Sequence, residues 1–254
     1  MTERRKRPAK GRAVVAAAFD YSAGATIDLH AHASHQLVYA VRGVMRVQTA
    51  SGAWIVPPNR ALLVPAGVDH EIRAIGALAM RTLYFDVRQL KKVVVGKDCR
   101  VVAVPPLLRE LIACLIEAQR TNRNPDREAH AIALILDEIR SLRTQPLRIP
   151  LPKNPRLLKI CEAIQSDPGS THTAAQWASR FGISAKTLTR DFLSDLGITF
   201  GRWRQQVRLL AALERLACGE PVTVVAMDLG YQSPSSFAAM FRKTLGSPPS
   251  RYFE

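Results

Sequence analysis

The sequence predicts an α+β protein of two domains: an N-terminal all-β barrel or sandwich with two trailing helices, then an all-α C-terminal domain. Three observations carry that expectation. Short β-branched and apolar runs fill residues 13–95, separated by turns rich in Gly, Pro and Asn. From residue 105 the apolar residues recur at helical spacing. A proline-rich stretch then leads into a hundred residues that read as short helices, and one pattern occurs in them twice.

Bulk properties narrow the partners. The 254 residues suffice for one large domain or two modest ones, and 47 % hydrophobic with 22 % charged residues is ordinary for a globular protein. The charge is not ordinary: 36 Lys+Arg against 21 Asp+Glu give +15, which favours a polyanionic partner, either nucleic acid or an anionic membrane surface. No apolar run approaches the roughly 18 residues of a membrane helix, so no membrane partner is expected. Cys99, Cys114, Cys161 and Cys218 are far apart and form no CxxC pair. That argues against a zinc ribbon and a disulfide framework, and for reduced thiols in the cytoplasm.

Each segment has its own reading. Residues 1–12 form a basic tail, expected to be disordered, that either adds phosphate contacts or is merely solvated. The apolar VVAAAF after it is too short for a signal-peptide core. Residues 13–100 make the β domain, with LVYAVRGVMRVQT, AWIVP, RALLVPAG and RTLYFDV as strands. In residues 105–142, Pro105-Pro106 opens a helix carrying Leu107, Leu108, Leu111, Ile112, Leu115 and Ile116. Asn124-Pro125, with Asn as N-cap, opens a second carrying Ile132, Ile135, Leu136, Ile139 and Leu142. These stripes either pair two chains or pack on the barrel. Residues 143–155 hold Pro146, Pro150, Pro152 and Pro155, which favour an extended, semi-rigid linker. Residues 156–254 form the helical domain.

The duplication lies in that last domain. FLSDLGITFGRW (192–203) and FRKTLGSPPSRY (241–252) both fit F-x3-L-G-x4-R-[WY], and Ala178-x3-Gly182 is matched by Ala226-x3-Gly230. Each copy reads as a helix-turn-helix. In the first, TAAQWASRF is a short helix and Gly182 supplies the positive φ of the turn. Small Ala178 lets the helices approach, Ser184 caps the next helix, and Leu188 and Phe192 are its core contacts. In the second, VTVVAMDLG gives helix and turn, Ser233 caps with Pro234 at the first position, and Phe237 and Phe241 form the core pair.

On these residues the C-terminal hundred residues resemble the tandem helix-turn-helix domain of AraC/XylS-type transcription regulators; GYQSPSSFAAMFRKTLGSPPSRY matches the family signature nearly end to end over the second unit. The resemblance implies sequence-specific binding of double-stranded operator DNA. Two recognition helices would lie in successive major grooves, joined by a helix around Trp203 to Leu216. It points Lys186, Thr189 and Arg190 at bases, beside Ser184 and Thr187. Arg190 either bonds guanine bidentately or pairs with phosphate, Asp191 or Asp195. The exposed positions expected on the second recognition helix, Pro234, Ser235, Ser236, Ala238 and Ala239, are poor readers of base edges. Ser233, Ser235, Ser236, Arg242 and Lys243 are therefore expected to position the protein on phosphate.

The stretch HAHASHQ (30–36) poses the remaining question. In a strand, His30, His32 and Gln36 share a face and His35 takes the other. The spacing His-x-His-x3-Gln-x6-Gly ends on Gly43, and Pro65-x-Gly67-x2-His70 comes after it. Together they resemble the two motifs of the cupin barrel, a double-stranded β-helix in which two His and a Glu from the first motif and a His from the second converge on one metal. The mapping gives His30, His32, Gln36 and His70, with neutral Gln36 in place of the carboxylate. Three readings stand: interior histidines bonded to neighbours, polar anchors for a small-molecule effector, or ligands of a divalent Zn, Ni, Cu or Fe ion. A cupin, a helical pair and a tandem helix-turn-helix together resemble effector-sensing regulators. The resemblance implies a cytoplasmic, non-enzymatic DNA-binding regulator acting on nearby genes, dimeric through 105–142, with an unknown effector and RNA polymerase as a further partner; whether it activates or represses is open. The alternatives are a constitutive regulator with a purely structural barrel, or a metal-dependent cupin enzyme carrying a DNA-binding module, against which Gln36 counts.

Overall fold

The computed structural model describes residues 13–87, 98–121, 125–145 and 147–253; the basic tail 1–12, the expected cap Asn124 and the linker residue Pro146 lie outside the described residues. The chain forms two compact units, one comprising residues up to 145 without 51–53, the other residues 146–254 with 51–53.

The first unit is an antiparallel β structure covered by two helices. Its strands are β1 (Val14–Tyr21), β2 (Thr26–His30), β3 (His35–Thr49), β4 (Gly52–Val56), β5 (Arg60–Val64), β6 (His70–Phe85), β7 (Arg100–Ala103) and β8 (Thr144–Gln145). They run in the order β1-β6-β3-β5-β7-β8, with β2 also on β6 and β4 on β3. The expected runs reappear as β3, β4 and β5, but RTLYFDV is only the end of a strand that begins at His70. That strand was hidden because its ladder with β3 is interrupted: the register shifts between Ala40 and Val44, and Gly43 and Gly76 on the two strands take φ of +78° and +70°. A Cβ on Gly43 would lie 2.3 Å from the Ala77 carbonyl oxygen, so only glycine lets the strands approach there. One expectation fails: His32 is not in a strand, because β2 ends at His30 and the chain turns before β3.

Strand alternation then sorts the side chains. Leu37, Tyr39, Leu63, Leu83 and Phe85 face outward from the sheet into one buried core with the helices α1 (Pro106–Thr121) and α2 (Pro125–Ser141), which contribute Leu108, Ile112, Leu115, Ile135 and Ile139. The two stripes thus pack on the β structure. Leu107, expected in the stripe, lies on the other side, 52 % exposed, and Leu134 is 48 % exposed. α1 also closes an open edge: the Gln119 amide donates to the Val14 carbonyl (2.9 Å) and accepts from the Ala16 N–H (2.9 Å), giving β1 a side-chain substitute for a neighbouring strand.

The second unit is helical apart from β9 (Arg148–Pro150), a short extended piece in the proline-rich stretch. Its helices are α3 (Pro155–Ser166), α4 (Ala174–Arg180), α5 (Ala185–Leu196), α6 (Phe200–Ala217), α7 (Val222–Asp228) and α8 (Pro234–Leu245), then a 3₁₀ turn, Pro249–Arg251. The duplication is structural. Gly182 and Gly230 hold the turns at φ +68° and +75°, and Gly197 and Gly246 end α5 and α8 in the left-handed region. Leu188, Phe192, Phe237 and Phe241 are fully buried. Phe192 packs edge-on against Phe200 and Trp203 of α6, and Phe241 against Tyr252. With 18 residues α6 is about 27 Å long.

Gly43→Ala would place a methyl group against the Ala77 carbonyl and force an L-residue to positive φ. The expected result is a loss of about 1–3 kcal/mol in urea denaturation monitored by circular dichroism; an unchanged midpoint would contradict the close approach.

Candidate DNA-binding surface and histidine site

Local rules build the two helix-turn-helix units. Thr173 and Gln176 form a capping box that starts α4. The Ile183 N–H bonds the Ala178 carbonyl, which closes the turn around Gly182. Ser184 then caps α5: its Oγ accepts from the Thr187 N–H at 3.1 Å and pairs with the Thr187 hydroxyl at 2.9 Å. Ser233 and Ser236 form the corresponding box on α8, with Pro234 at its first position. The hydroxyls of Ser184, Thr187, Ser233 and Ser236 are therefore engaged in capping, which fixes where each recognition helix begins.

The outer faces of the two recognition helices differ. On α5, Lys186, Thr189 and Arg190 are exposed, and the Thr189 hydroxyl bonds back to the Ala185 carbonyl. The Arg190 guanidinium pairs with Asp191 at 2.8 Å while its side chain stays 72 % exposed. Asp195, the other expected partner, instead accepts from the Lys153 and Asn154 N–H groups at 2.8 and 3.1 Å. An exposed ion pair is worth about 0–1 kcal/mol, so Arg190 can exchange Asp191 for another acceptor. On α8 the exposed positions are Ser235, Ser236 and Ala239, with Arg242 and Lys243 in the last turn; Pro234 and Ala238, expected exposed, are half-buried because they share a helix stripe with the buried Phe241.

The histidine site is assembled by a turn. The Gly67 N–H bonds the His32 carbonyl at 2.8 Å and pins the 31–34 loop beside the start of β6. His30 lies opposite His70 in the β2–β6 register. The ring centroids of His30, His32 and His70 are 4.3–5.4 Å apart, and candidate ligand nitrogens of all three lie within 4.8 Å of one another. The Nδ1 atoms of His30 and His70 face the backbone carbonyls of Asp28 (2.6 Å) and Val68 (2.9 Å). A carbonyl can only accept, so in each bond Nδ1 is the donor, and Nε2 is the ring atom left to face the site. The Nε2 atoms of His32 and His70 are buried without a hydrogen-bond partner. Burial, with His30 and His70 beside it, lowers the His32 pKa to about 4, and burial lowers that of His70 against its bond to Val68, so both rings are neutral near pH 7.

Gln36 belongs to the same inner face as Tyr84, its partner across β6, and the Tyr84 ring packs edge-on against His32. Its Nε2 donates to Thr82 Oγ1 at 3.0 Å, and its buried Oε1 has no partner. His35, of opposite parity, is satisfied elsewhere: its Nδ1 accepts from the Ala66 N–H at 3.0 Å. Sequence reasoning missed the Gly67–His32 bond, Gln119 on β1, and the role of Thr82 in fixing the Gln36 amide. Only Gly67 had a signal, as a turn glycine before His70.

A β barrel with polar groups gathered inside it, leading into a duplicated helix-turn-helix, defines a DNA-binding transcription regulator with a ligand-binding-type domain in front. The chain belongs to the AraC family of such regulators. The family model described as AraC-like ligand binding domain matches residues 13–135, and the one described as helix-turn-helix domain matches residues 177–254. The chain is 32 % identical over 227 residues to the HTH-type transcriptional regulator NimR of Escherichia coli (strain K12), a match covering 89 % of this chain and 82 % of NimR. It is 38 % identical over 76 residues to the regulatory protein SoxS of Salmonella typhimurium, covering 30 % of this chain and 71 % of SoxS. Among solved structures, ToxT of Vibrio cholerae O395 aligns over 95 % of this chain and 97 % of its own at 13 % identity and a TM-score of 0.39.

Ser184→Ala removes the acceptor for the Thr187 N–H. Thermal denaturation should register a loss of about 1 kcal/mol; a loss near zero would mean that the cap is dispensable.

Proposed function

We propose that the protein is an effector-responsive regulator whose barrel is the input domain and whose histidine site takes a divalent transition-metal ion. The observation that carries this is the set of buried, unpartnered Nε2 atoms on His32 and His70, with His30 beside them and its Nδ1 tied back to the main chain. Leaving such groups unpaired costs about 1–3 kcal/mol each, which a ligand would relieve. His30, His32 and His70 would hold the ion, and three imidazoles suit Zn, Ni, Cu or Fe. A bound ion would supply a positive centre to which a small-molecule effector can add. Gln36 would contribute only a neutral oxygen, held in place by Thr82. Sensing is in keeping with relatives that are transcription regulators.

On DNA, the first unit reads bases through Lys186, Thr189 and Arg190, and the second holds phosphate through Ser235, Arg242 and Lys243. The contrast between a basic α5 face and a small-residue α8 face supports this division. The exposed Leu107 and Leu134 on the helical pair support a homodimer through 105–142. Among the described residues no helix is long and apolar enough to cross a membrane. Action in the cytoplasm on nearby genes, with RNA polymerase as a further partner, belongs to the same reading.

Two experiments test these readings. Elemental analysis of untagged protein should find close to one transition-metal ion per chain, and His32→Ala should lose most of it; equal content in both would reject the metal. On a duplex selected by the full-length protein, Arg190→Ala should relax base preference at its position by about 1–3 kcal/mol. Ser235→Ala should weaken all sequences alike, and the opposite ranking would reject the division.

A further inference from the structure

Two arginines of α6 direct their guanidinium groups to the main chain. Arg204 donates to the carbonyls of His172 and Ser170, both at 2.7 Å. Arg208 donates to those of Pro168 at 3.0 Å and Ser170 at 2.9 Å. The three acceptors lie in the tight loop 167–172, which leads directly into the Thr173 cap of α4 and therefore belongs to the leading edge of the first helix-turn-helix. The loop is stiffened from within by the Ser170 N–H bonding Asp167 and by the Ser170 hydroxyl pairing with His172.

The other side of this loop touches the second unit. A Cβ on Gly169 would lie 1.9 Å from the Asp228 carbonyl oxygen at the end of α7. A Cβ on Gly230 would lie 2.7 Å from the Gly169 oxygen and 3.1 Å from Arg208 Nη2. The Arg208 guanidinium also stands 6.0 Å from the centre of the Tyr231 ring. The duplication supplies an internal control. Gly182 occupies the same turn position in the first unit, yet a Cβ there would meet nothing within 4 Å. The first turn needs glycine for its φ alone; the second needs it also for contact with the loop.

We infer that Arg208, with Arg204, is a positioning residue: it clamps loop 167–172 between the two helix-turn-helix units and thereby fixes the base-pair spacing between the two DNA boxes the protein accepts. The inference rests on the reading that both units contact DNA. A single helix with flexible ends would let the second unit track a displaced box. A closed triangle of α6, loop and second turn does not. One added base pair turns the second box by about 34° and moves it about 3.4 Å, beyond what a rigid pair of units can track. The clamp also suits a second unit whose recognition helix has few side chains for reading bases: its place on DNA is set by the first unit.

The test uses the full-length protein, a duplex selected by it from a random library, and derivatives with one base pair added or removed between the boxes. Wild type should lose at least tenfold in affinity on either change. Arg208→Ala and Gly169→Ala, checked for cooperative melting, should shrink that discrimination to threefold or less and keep the base preference of the first box. Arg208→Lys, which keeps the charge but not the fork of donors, should fall between and serves where the alanine variants do not fold. Unchanged spacing discrimination in a folded variant overturns the inference, as does an equal loss at every spacing, which would mark Arg208 as a phosphate contact. A wild-type footprint over one box overturns the two-box reading itself, and the inference with it.

Discussion

The pairing of two long strands, β3 and β6, is the constraint on which the first unit depends. β1 and β2 attach to β6, and β4 and β5 attach to β3. Because strand side chains alternate, the register decides what each face does. Leu37 lies opposite Leu83, and both point to the helices; Gln36 lies opposite Tyr84, and both point inward. A slip by one residue would send the amide of Gln36 into the helical core and bring leucines to the histidines. The glycine-bearing interruption at 40–44 confines the break in the ladder to one place, so that His70 at one end of β6 and Tyr84 near the other can serve the same interior.

The second unit relies on a different device, a repeated set of backbone conformations. Glycines at the turns and at the ends of α5 and α8 recur at corresponding positions, and the serine caps recur with them. Shared caps and cores give two recognition helices of the same length. The core positions stay apolar, with Leu188 answered by Phe237, whereas the outer face changes character: Lys186 and Arg190 on one helix, Ser235 and Ala239 on the other. Scaffold and reading surface can therefore change independently within a unit. Contact between the two helix-turn-helix repeats is less free, because Gly169 and Gly230 leave no room for a side chain.

How legible each feature is in the sequence depends on how it is encoded. Turn glycines, caps and apolar pairs are encoded by residue type at fixed spacing, so Gly182, Ser184, Phe192 and their counterparts could be read directly. The structure brings His30, His32 and His70 together, while Gln36 shares only the inward face with Tyr84; the strand parity invoked for His32 was the wrong reason, because a main-chain bond from Gly67 places it. The full length of β6 was obscured because Gly76 breaks the run where the register against β3 shifts. The Arg204 and Arg208 clamp left no trace at all on the acceptor side. Its acceptors are carbonyls 32 to 40 residues away, a group every residue possesses.

The donor set of the barrel bears on how an input domain differs from an enzyme of the same architecture. A ligand shifts a conformational equilibrium only by its differential affinity for the two states. His70 is fully buried at the start of β6, whereas His32 rides on the 31–34 loop. A ligand engaging both would tie loop to strand, and its binding energy would be felt as ordering of that junction. Neutral imidazoles and a neutral amide leave the charge of a bound cation uncompensated, so the site would still attract an anionic or electron-rich group from solution. A carboxylate at position 36 would neutralise part of that charge and weaken the attraction. Gln36, locked by Thr82, preserves it while filling the same space.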